Sequence, residues 1–226
     1  MRVWALTLRV RRRSFERCSI EVFVLFRSRI RLTALASFVV FMASVSTASA
    51  QQTVVFFRHA EKPASGLGLL SCQGLNRALA LPAVLLSRFG TPDFLYAPDP
   101  SVKISDPTGS YYYVRPLTTI EPTAIRAQRS INTHYGYTDI SSLESLIIRS
   151  TKANTTIFVS WEHEYLQRLV QDIMNRYGGG ALVPAWVTGD YDTMYVVHVN
   201  YAGGTISATF ERQSEGLNGQ STGCPQ

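Results

Sequence analysis

Short apolar runs alternate along the chain with longer segments of helical periodicity. The runs at residues 53–57, 94–96 and 155–160 are rich in β-branched and aromatic side chains, which predicts buried strands. Helices are predicted over residues 73–88, 117–134, 141–149 and 165–177. Apolar segments at 194–200 and 205–211 flank Ala202-Gly203-Gly204, which predicts an antiparallel hairpin.

This alternation of strands and helices predicts the α/β class. We expect a three-layer sandwich, with helices on both faces of a mostly parallel sheet and an antiparallel hairpin at one edge. Residues 97–114 are rich in Pro, Asp, Ser, Gly and Tyr, which predicts a long loop that would select the substrate. Within it, Tyr111-Tyr112-Tyr113 either lines the substrate site or covers the core.

Basic side chains follow two of the predicted strands. Arg58 and His59 come directly after the first strand, and His163 follows the strand at 155–160. Ligands of open α/β sheets bind outside the carboxyl ends of the strands, so these side chains should meet in one crevice. Arg115 opens the helix after the long loop and should point into the same crevice. Arginine binds tetrahedral oxyanions through two parallel hydrogen bonds, so the crevice suits a phosphoryl group.

A second arginine has the same local spacing as Arg115. Arg115-Pro-Leu-Thr-Thr119 and Arg126-Ala-Gln-Arg-Ser130 both place Ser or Thr four residues after Arg. A helix that began at Arg126 would have only a few residues before Gly136. This short remaining length favours Arg115 as the phosphate ligand, and leaves Arg126 and Arg129 on a solvated helix face.

Two motifs resemble those of a known family. Arg58-His59-Ala60-Glu61 resembles the Arg-His-Gly marker of the histidine phosphatase superfamily, with Ala in place of Gly. Leu70-Ser71-Cys72-Gln73-Gly74 and the residues up to Ala78 resemble that family's Leu-Thr-x-x-Gly-x-x-x-Ala helix start. The resemblance covers most of residues 51–226 and implies the phosphoglycerate mutase-like fold.

The resemblance also implies a role for each basic residue of the crevice. Arg58 and Arg115 would hold the phosphoryl oxygens, and His59 would attack phosphorus. His163 would be the second histidine of the pocket. Phosphoryl transfer through histidine splits one difficult step into two and needs positive charge around the phosphoryl oxygens. These residues supply that charge without a metal, so no metal or other cofactor is expected.

The proton donor for the leaving oxygen stays open among three glutamates. Glu164 directly follows His163, as in the acid phosphatase branch of the family, and is slightly favoured. Glu162 competes with it. Glu144 lies between the second arginine and the second histidine, as the donor does in the mutase branch, but a solvated surface position is the better interpretation.

These residues predict an exported phosphomonoesterase that acts on a small or exposed phosphoester. The alternative is a phosphate- or phosphosugar-binding protein on the same fold, in which Ala60 or a missing donor has abolished the chemistry. A mutase is disfavoured by export. The oligomeric state is not indicated by the sequence.

Charge and hydropathy separate the first 50 residues from the rest. The formal charge is +6, but residues 1–50 hold 9 of the 22 Lys and Arg and 2 of the 16 Asp and Glu. Residues 51–226 therefore carry 13 basic and 14 acidic residues, so no nucleic-acid partner is expected. The apolar run at 32–43 follows arginines and precedes Ala48-Ser49-Ala50, which is typical of a cleaved secretion signal. No later run is long enough to predict a membrane span.

Two cysteines remain after residue 50. Cys72 and Cys224 would reach the periplasm or the exterior, where disulfides persist, so a bridge between them is expected. The alternative is two unpaired thiols, with Cys224 in a Gly- and Ser-rich tail that would be disordered unless held. Residues 51–226 are predicted to form a single domain.

We predict that the exported protein begins at Gln51, because signal peptidases cut after an Ala-x-Ala site. Intact-mass measurement of protein recovered from the periplasm or medium should show residues 51–226 only. A mass that includes residues 1–50 would contradict cleavage.

Overall fold

A six-stranded mixed sheet organises the part of the chain that the computed structural model describes, residues 50–149, 153–202 and 205–226. The predicted leader, apart from Ala50, lies outside the described residues. The strands are β1 (Ala50–Arg58), β2 (Phe94–Tyr96), β3 (Lys103–Asp106), β4 (Gly109–Tyr112), β5 (Ile131–Asn132), β6 (Thr156–Trp161), β7 (Thr193–Ala202) and β8 (Thr205–Ser214). The helices are α1 (Cys72–Phe89), α2 (Arg115–Ala127), α3 (Ile140–Ile147) and α4 (His163–Asn175), with a 3-10 turn at Gly180–Leu182.

The strand order in the sheet is β5-β2-β6-β1-β7-β8. β5, β2, β6 and β1 run parallel, whereas β7 and β8 are antiparallel and form the predicted hairpin at one edge. This arrangement confirms the predicted α/β class, with a mostly parallel sheet and an antiparallel edge. Within the described ranges no helix is both long and apolar enough to cross a membrane.

Helices cover both faces of the sheet because β1 is apolar on both sides. Val54 and Phe56 belong to a core that includes side chains of α3 and α4. Val55 and Phe57 belong to a second core, which includes side chains of α1 and α2. Successive side chains of a strand point to opposite faces, so one buried strand supports both layers. β1 begins at Ala50, three residues before the predicted start, and the buried Gln52 donates to Ile147 O at 2.8 Å.

The predicted loop at 97–114 is wrong in its centre, where β3 and β4 form a separate two-stranded sheet. Asp106 pairs with Gly109, so Pro107 and Thr108 form the turn. The two strands are short, mostly polar and at least partly exposed, so they lack the alternating apolar pattern that identifies a strand from sequence. The hairpin carries Asp106 to the candidate site.

The helix predicted at 117–134 is shorter than expected, although it opens at Arg115 as the sequence indicated. α2 begins at Arg115, with Pro116 in its first turn, where a proline needs no amide donor. It ends at Ala127, because Gln128 takes the left-handed conformation at φ 54°. The chain then forms β5, a two-residue strand beside β2 that is too short to predict.

The C-terminal tail is held against the first turn of α1. Cys72 and Cys224 form the expected disulfide, across a sequence separation of 152 residues. Asn76 Nδ2 donates to Ser221 O at 2.8 Å and to Gly223 O at 2.7 Å. The bridge and these hydrogen bonds explain how a Gly- and Ser-rich segment adopts one position.

We predict that Cys224→Ser lowers the free energy of unfolding by about 2–5 kcal/mol, because the bridge closes a long loop. Urea unfolding of oxidised protein measures the change, with the exposed Thr222→Ser as a matched control. Alkylation of both cysteines in unreduced wild-type protein would contradict the bridge.

Candidate active site

His59 lies at the end of β1, where the strand meets β6. Its amide donates to Trp161 O at 3.1 Å, which continues the parallel pairing by one residue. The side chain is 2% exposed, and Nδ1 lies 2.7 Å from Ala60 O. A carbonyl oxygen only accepts, so Nδ1 carries the proton and the Nε2 lone pair is available. This is the tautomer that a nucleophilic imidazole requires.

Electrostatics also keep His59 neutral. Burial lowers its pKa well below the ordinary value for histidine, and the charge of Arg58 lowers it further. The hydrogen bond to Ala60 O raises the pKa of His59, whereas the charges of Arg115 and His163 lower it further. The imidazole therefore keeps its lone pair in mildly acidic solution.

Arg58 is held from one side by a loop before β7. Its side chain is buried, and Nη1 donates to Thr188 O at 2.5 Å and to Asp190 O at 3.3 Å. The guanidinium carbon lies 4.1 Å from the ring centroid of Tyr191. Nε of Arg58 is buried and has no hydrogen-bond partner among the described residues. These contacts fix the guanidinium and leave a donor for a ligand.

Arg115 is fixed by the β3–β4 hairpin. It is 1% exposed at the first position of α2, and Nη1 donates to Asp106 Oδ2 at 2.7 Å while Nη2 donates to Oδ1 at 3.3 Å. Within the described part of the chain, its buried Nε also has no partner. Thr119 links this helix start to the strand end, since Thr119 Oγ1 accepts from Ala60 N at 2.9 Å and donates to Arg115 O at 2.8 Å.

Two tyrosine rings connect these groups. Tyr113 packs edge-on against His59, with centroids 5.9 Å apart, and the guanidinium carbon of Arg115 lies 4.9 Å from its centroid. Tyr191 lies between Arg58 and His59, with its centroid 6.1 Å from that of the histidine. Each ring therefore lies against two of the three basic side chains.

His163 and Glu162 form the opposite side of the crevice, at the start of α4. Glu162 caps the helix, since its Oε2 accepts from Glu164 N at 2.8 Å and Tyr165 N at 3.0 Å. Its Oε1 lies 2.5 Å from His163 Nδ1. Burial alone would raise the pKa of Glu162, but His163 and the two amides outweigh burial and lower it. Glu162 is therefore an ionised partner of His163.

The other acidic candidates lie in different surroundings. Glu164 is exposed in the first turn of α4. Glu144 is buried on α3, and its Oε1 lies 2.5 Å from Arg176 Nε, so it has a structural partner rather than the expected solvated position. Arg126 is exposed in the last turn of α2, as predicted. Arg129 lies beyond the helix rather than on its face, and its Nε donates to Pro92 O at 3.2 Å.

A buried ion cluster supports the turn that follows His59. Nε and Nη2 of Arg77 donate to the Glu61 carboxylate at 2.8–3.0 Å, and Nη1 donates to Asp192 Oδ1 at 3.1 Å and Glu215 Oε2 at 2.7 Å. Burial raises the pKa of Glu215 to about 8, against the charge of Arg77. Gly74 is required beside this turn, because a Cβ there would lie 2.2 Å from Glu61 O.

Sequence reasoning missed several of these residues. Asp106 and Tyr191 gave no signal, because each lies in a polar segment without a family motif. Arg77 lies in the recognised helix start, and its charge inside an apolar pattern is a signal that a buried partner exists. Among the described residues no group of three or more His, Cys, Asp or Glu is arranged to hold a metal ion.

Comparison with known proteins gives solved structures only. No protein-family model and no curated protein matches the chain. A structure assigned as phosphohistidine phosphatase SixA from Nakamurella multipartitia matches at 18% identity and a TM-score of 0.47, over 72% of this chain and 95% of that one. Phosphoserine phosphatase from Entamoeba histolytica, a variant in complex with phosphoserine, matches at 12% identity and a TM-score of 0.44. The match covers 74% of this chain and 99% of that one.

A third structure has a similar level of likeness. The mycobacterial glucosyl-3-phosphoglycerate phosphatase, in complex with inorganic phosphate, matches at 12% identity and a TM-score of 0.46, over 70% of this chain and 95% of that one. All three belong to the histidine phosphatase superfamily. This is the family that the sequence motifs resemble. At such low identity the likeness does not transfer an activity to this chain.

We predict that His59 is neutral and protonated at Nδ1 at pH 6, because burial and Arg58 lower its pKa and Ala60 O accepts from Nδ1. Long-range ¹H–¹⁵N spectra of histidine-labelled protein distinguish the two tautomers and the imidazolium. The signal is assigned by its loss in His59→Gln. An imidazolium spectrum for His59 at pH 6, or a proton on Nε2, would contradict this assignment.

Proposed function

We propose that this chain is a phosphomonoesterase that acts through a phosphohistidine at His59. The observation that carries the proposal is a buried imidazole with a free Nε2 lone pair beside two buried arginines, Arg58 and Arg115, whose Nε groups have no partner among the described residues. Buried donors are rarely left without a partner in proteins. Two such donors beside a nucleophile favour a tetrahedral oxyanion as the ligand.

In the first step, Nε2 of His59 attacks phosphorus and the bond from phosphorus to the leaving oxygen breaks. Arg58, Arg115 and a protonated His163 stabilise the charge on the phosphoryl oxygens. The Glu162 carboxylate supports the positive charge of His163 from 2.5 Å. The leaving oxygen takes a proton from an acid, which we assign to Glu164, since Glu162 is held ionised and Glu144 is paired with Arg176.

In the second step, water attacks the phosphohistidine. The bond between phosphorus and Nε2 breaks, and the electron pair returns to the imidazole. The carboxylate that lost its proton in the first step accepts one from the water. Inorganic phosphate then leaves and the site regains its starting charge.

We further propose that the enzyme needs no cofactor and acts outside the cytosol. The arginines and His163 supply the positive charge that a metal gives in other phosphatases. The leader at 1–50 and the disulfide between Cys72 and Cys224 support an oxidising compartment. The substrate class is a small or exposed phosphoester.

A second candidate function is phosphate or phosphosugar binding without turnover. The exposed position of Glu164 favours it, because a general acid must lie within hydrogen-bond reach of the leaving oxygen, and the other groups of the site are buried. Phosphate release from p-nitrophenyl phosphate in the presence of EDTA separates the two. Phosphate binding without release between pH 4 and 8 would establish the binding function.

We predict that labelled phosphomonoester leaves an acid-labile phosphoryl group on His59 after a rapid alkaline quench. His59→Ala should abolish both the label and phosphate release, because it removes the nucleophile. His163→Ala should retain weak binding and slow transfer strongly, because its charge acts mainly in the transition state. Peptide mapping locates the label, and label on His163 with none on His59 would overturn the mechanism.

We predict different effects for the two arginines on α2. Arg115→Ala should raise the barrier by about 2–4 kcal/mol, the effect of one preorganised donor. Arg126→Ala should leave kcat/KM within about twofold, because Arg126 is exposed at the end of the helix. Steady-state kinetics at a temperature where both variants are folded measures the difference. The reverse result would place the second phosphate ligand at Arg126.

A further inference from the structure

Tyr113 has a buried hydroxyl that no assigned function uses. The residue is fully buried between the end of β4 and the start of α2. Within the described residues its hydroxyl has no partner of full hydrogen-bond geometry. Arg115 lies close enough to act as a donor to the phenol oxygen and lower its pKa, but an arginine cannot accept the hydroxyl proton. Buried tyrosine hydroxyls usually find a partner, since leaving a buried polar group unpaired is energetically costly. A hydroxyl of this kind points to a ligand.

The surroundings of this hydroxyl are those of the candidate active site. The ring lies edge-on to His59 and beneath the guanidinium of Arg115, at 5.9 and 4.9 Å. Glu162, Arg115 and Arg58 are the charges that act on the phenol. These groups come from three separate strand and helix ends around His59, so Tyr113 lies among the residues of the candidate site.

The protonation state of Tyr113 is fixed by the same surroundings. Burial raises the pKa of the phenol well above its ordinary value, and Glu162 raises it further against the two arginines. The hydroxyl therefore keeps its proton across the pH range in which proteins are stable. It is a neutral donor beside two cationic ones.

We propose that the Tyr113 hydroxyl donates a hydrogen bond to a nonbridging oxygen of the bound phosphoryl group. This inference rests on the proposed function of the same site, and it adds one catalytic residue to it. The unpaired Nε groups of Arg58 and Arg115 require anionic acceptors, and a phosphoryl group has three nonbridging oxygens. The Tyr113 hydroxyl supplies a further donor, and it adds no repulsion between like charges in a buried site.

Tyr113→Phe tests the inference, because it removes the hydroxyl and keeps the ring that packs against His59 and Arg115. We expect kcat/KM for p-nitrophenyl phosphate to fall about 10²-fold, as for other single donors to a transition state. Binding of vanadate, which mimics the five-coordinate phosphorus, should weaken by a similar factor. Tyr112→Phe is the matched control, since Tyr112 is the preceding residue and is 61% exposed.

The choice of leaving group distinguishes the nonbridging oxygen from the leaving oxygen. If the hydroxyl donates to a nonbridging oxygen, its removal should lower kcat/KM by the same factor for p-nitrophenyl phosphate and for glycerol 2-phosphate. A loss confined to glycerol 2-phosphate would overturn the inference, because only the alkoxide needs a proton. Unchanged kinetics and unchanged vanadate affinity in the variant would overturn it as well.

Binding measurements separate this inference from the proposed function. If wild-type protein releases no phosphate, the proposed phosphatase is wrong, and calorimetry with inorganic phosphate then decides the role of Tyr113. Weaker phosphate binding by Tyr113→Phe than by Tyr112→Phe would support the contact. Equal affinity in the two variants, or no phosphate binding by wild type, would overturn it.

Discussion

The parallel register of β1 against β6 determines where every group of the candidate site lies. Arg58 pairs with Trp161, and the amide of His59 extends the same ladder by one hydrogen bond. Glu162 and His163 follow β6 directly, so the two histidines lie just beyond the ends of neighbouring strands. A shift of register by one residue would move one strand end by about 3.3 Å and separate them. It would also exchange the side chains of the two cores.

Opposite charges are distributed unequally around this strand end. Behind the turn after His59, one arginine, Arg77, faces the carboxylates of Glu61, Asp192 and Glu215. In front of it, Arg115 pairs with the buried carboxylate of Asp106, and the charge of Glu162 acts on Arg58. Burial raises the pKa of Glu215, which favours its neutral form and so reduces the excess negative charge of the first cluster. In the second group the charges balance, but Arg58 is held by the carbonyl oxygens of Thr188 and Asp190 and by the Tyr191 ring rather than by a carboxylate, which favours an anion there.

Much of this arrangement was predictable because it depends on strand ends and periodicity. A buried apolar run followed by Arg and His indicates a ligand site at a sheet edge, and that logic placed Arg58, His59 and His163 together. Contacts made by polar hairpins were not predictable. Asp106 reaches Arg115 only because β3 and β4 fold back in a segment without an apolar pattern, and the two interpretations of Tyr113 could not be separated without its neighbours.

The disulfide closes a covalent loop that includes most of the described chain. The chain enters the sheet at β1, and the bridge returns from Cys224 to the first residue of α1. C-terminal segments usually fray first, because their last residues can detach without disturbing the rest. Here the tail cannot detach as a free end and then unpair β8. The segment is anchored by the disulfide on one side and by the pairing of β8 with β7 on the other. Local opening should therefore begin elsewhere, for example at the partly exposed hairpin of β3 and β4, whose strands pair with each other and not with the main sheet.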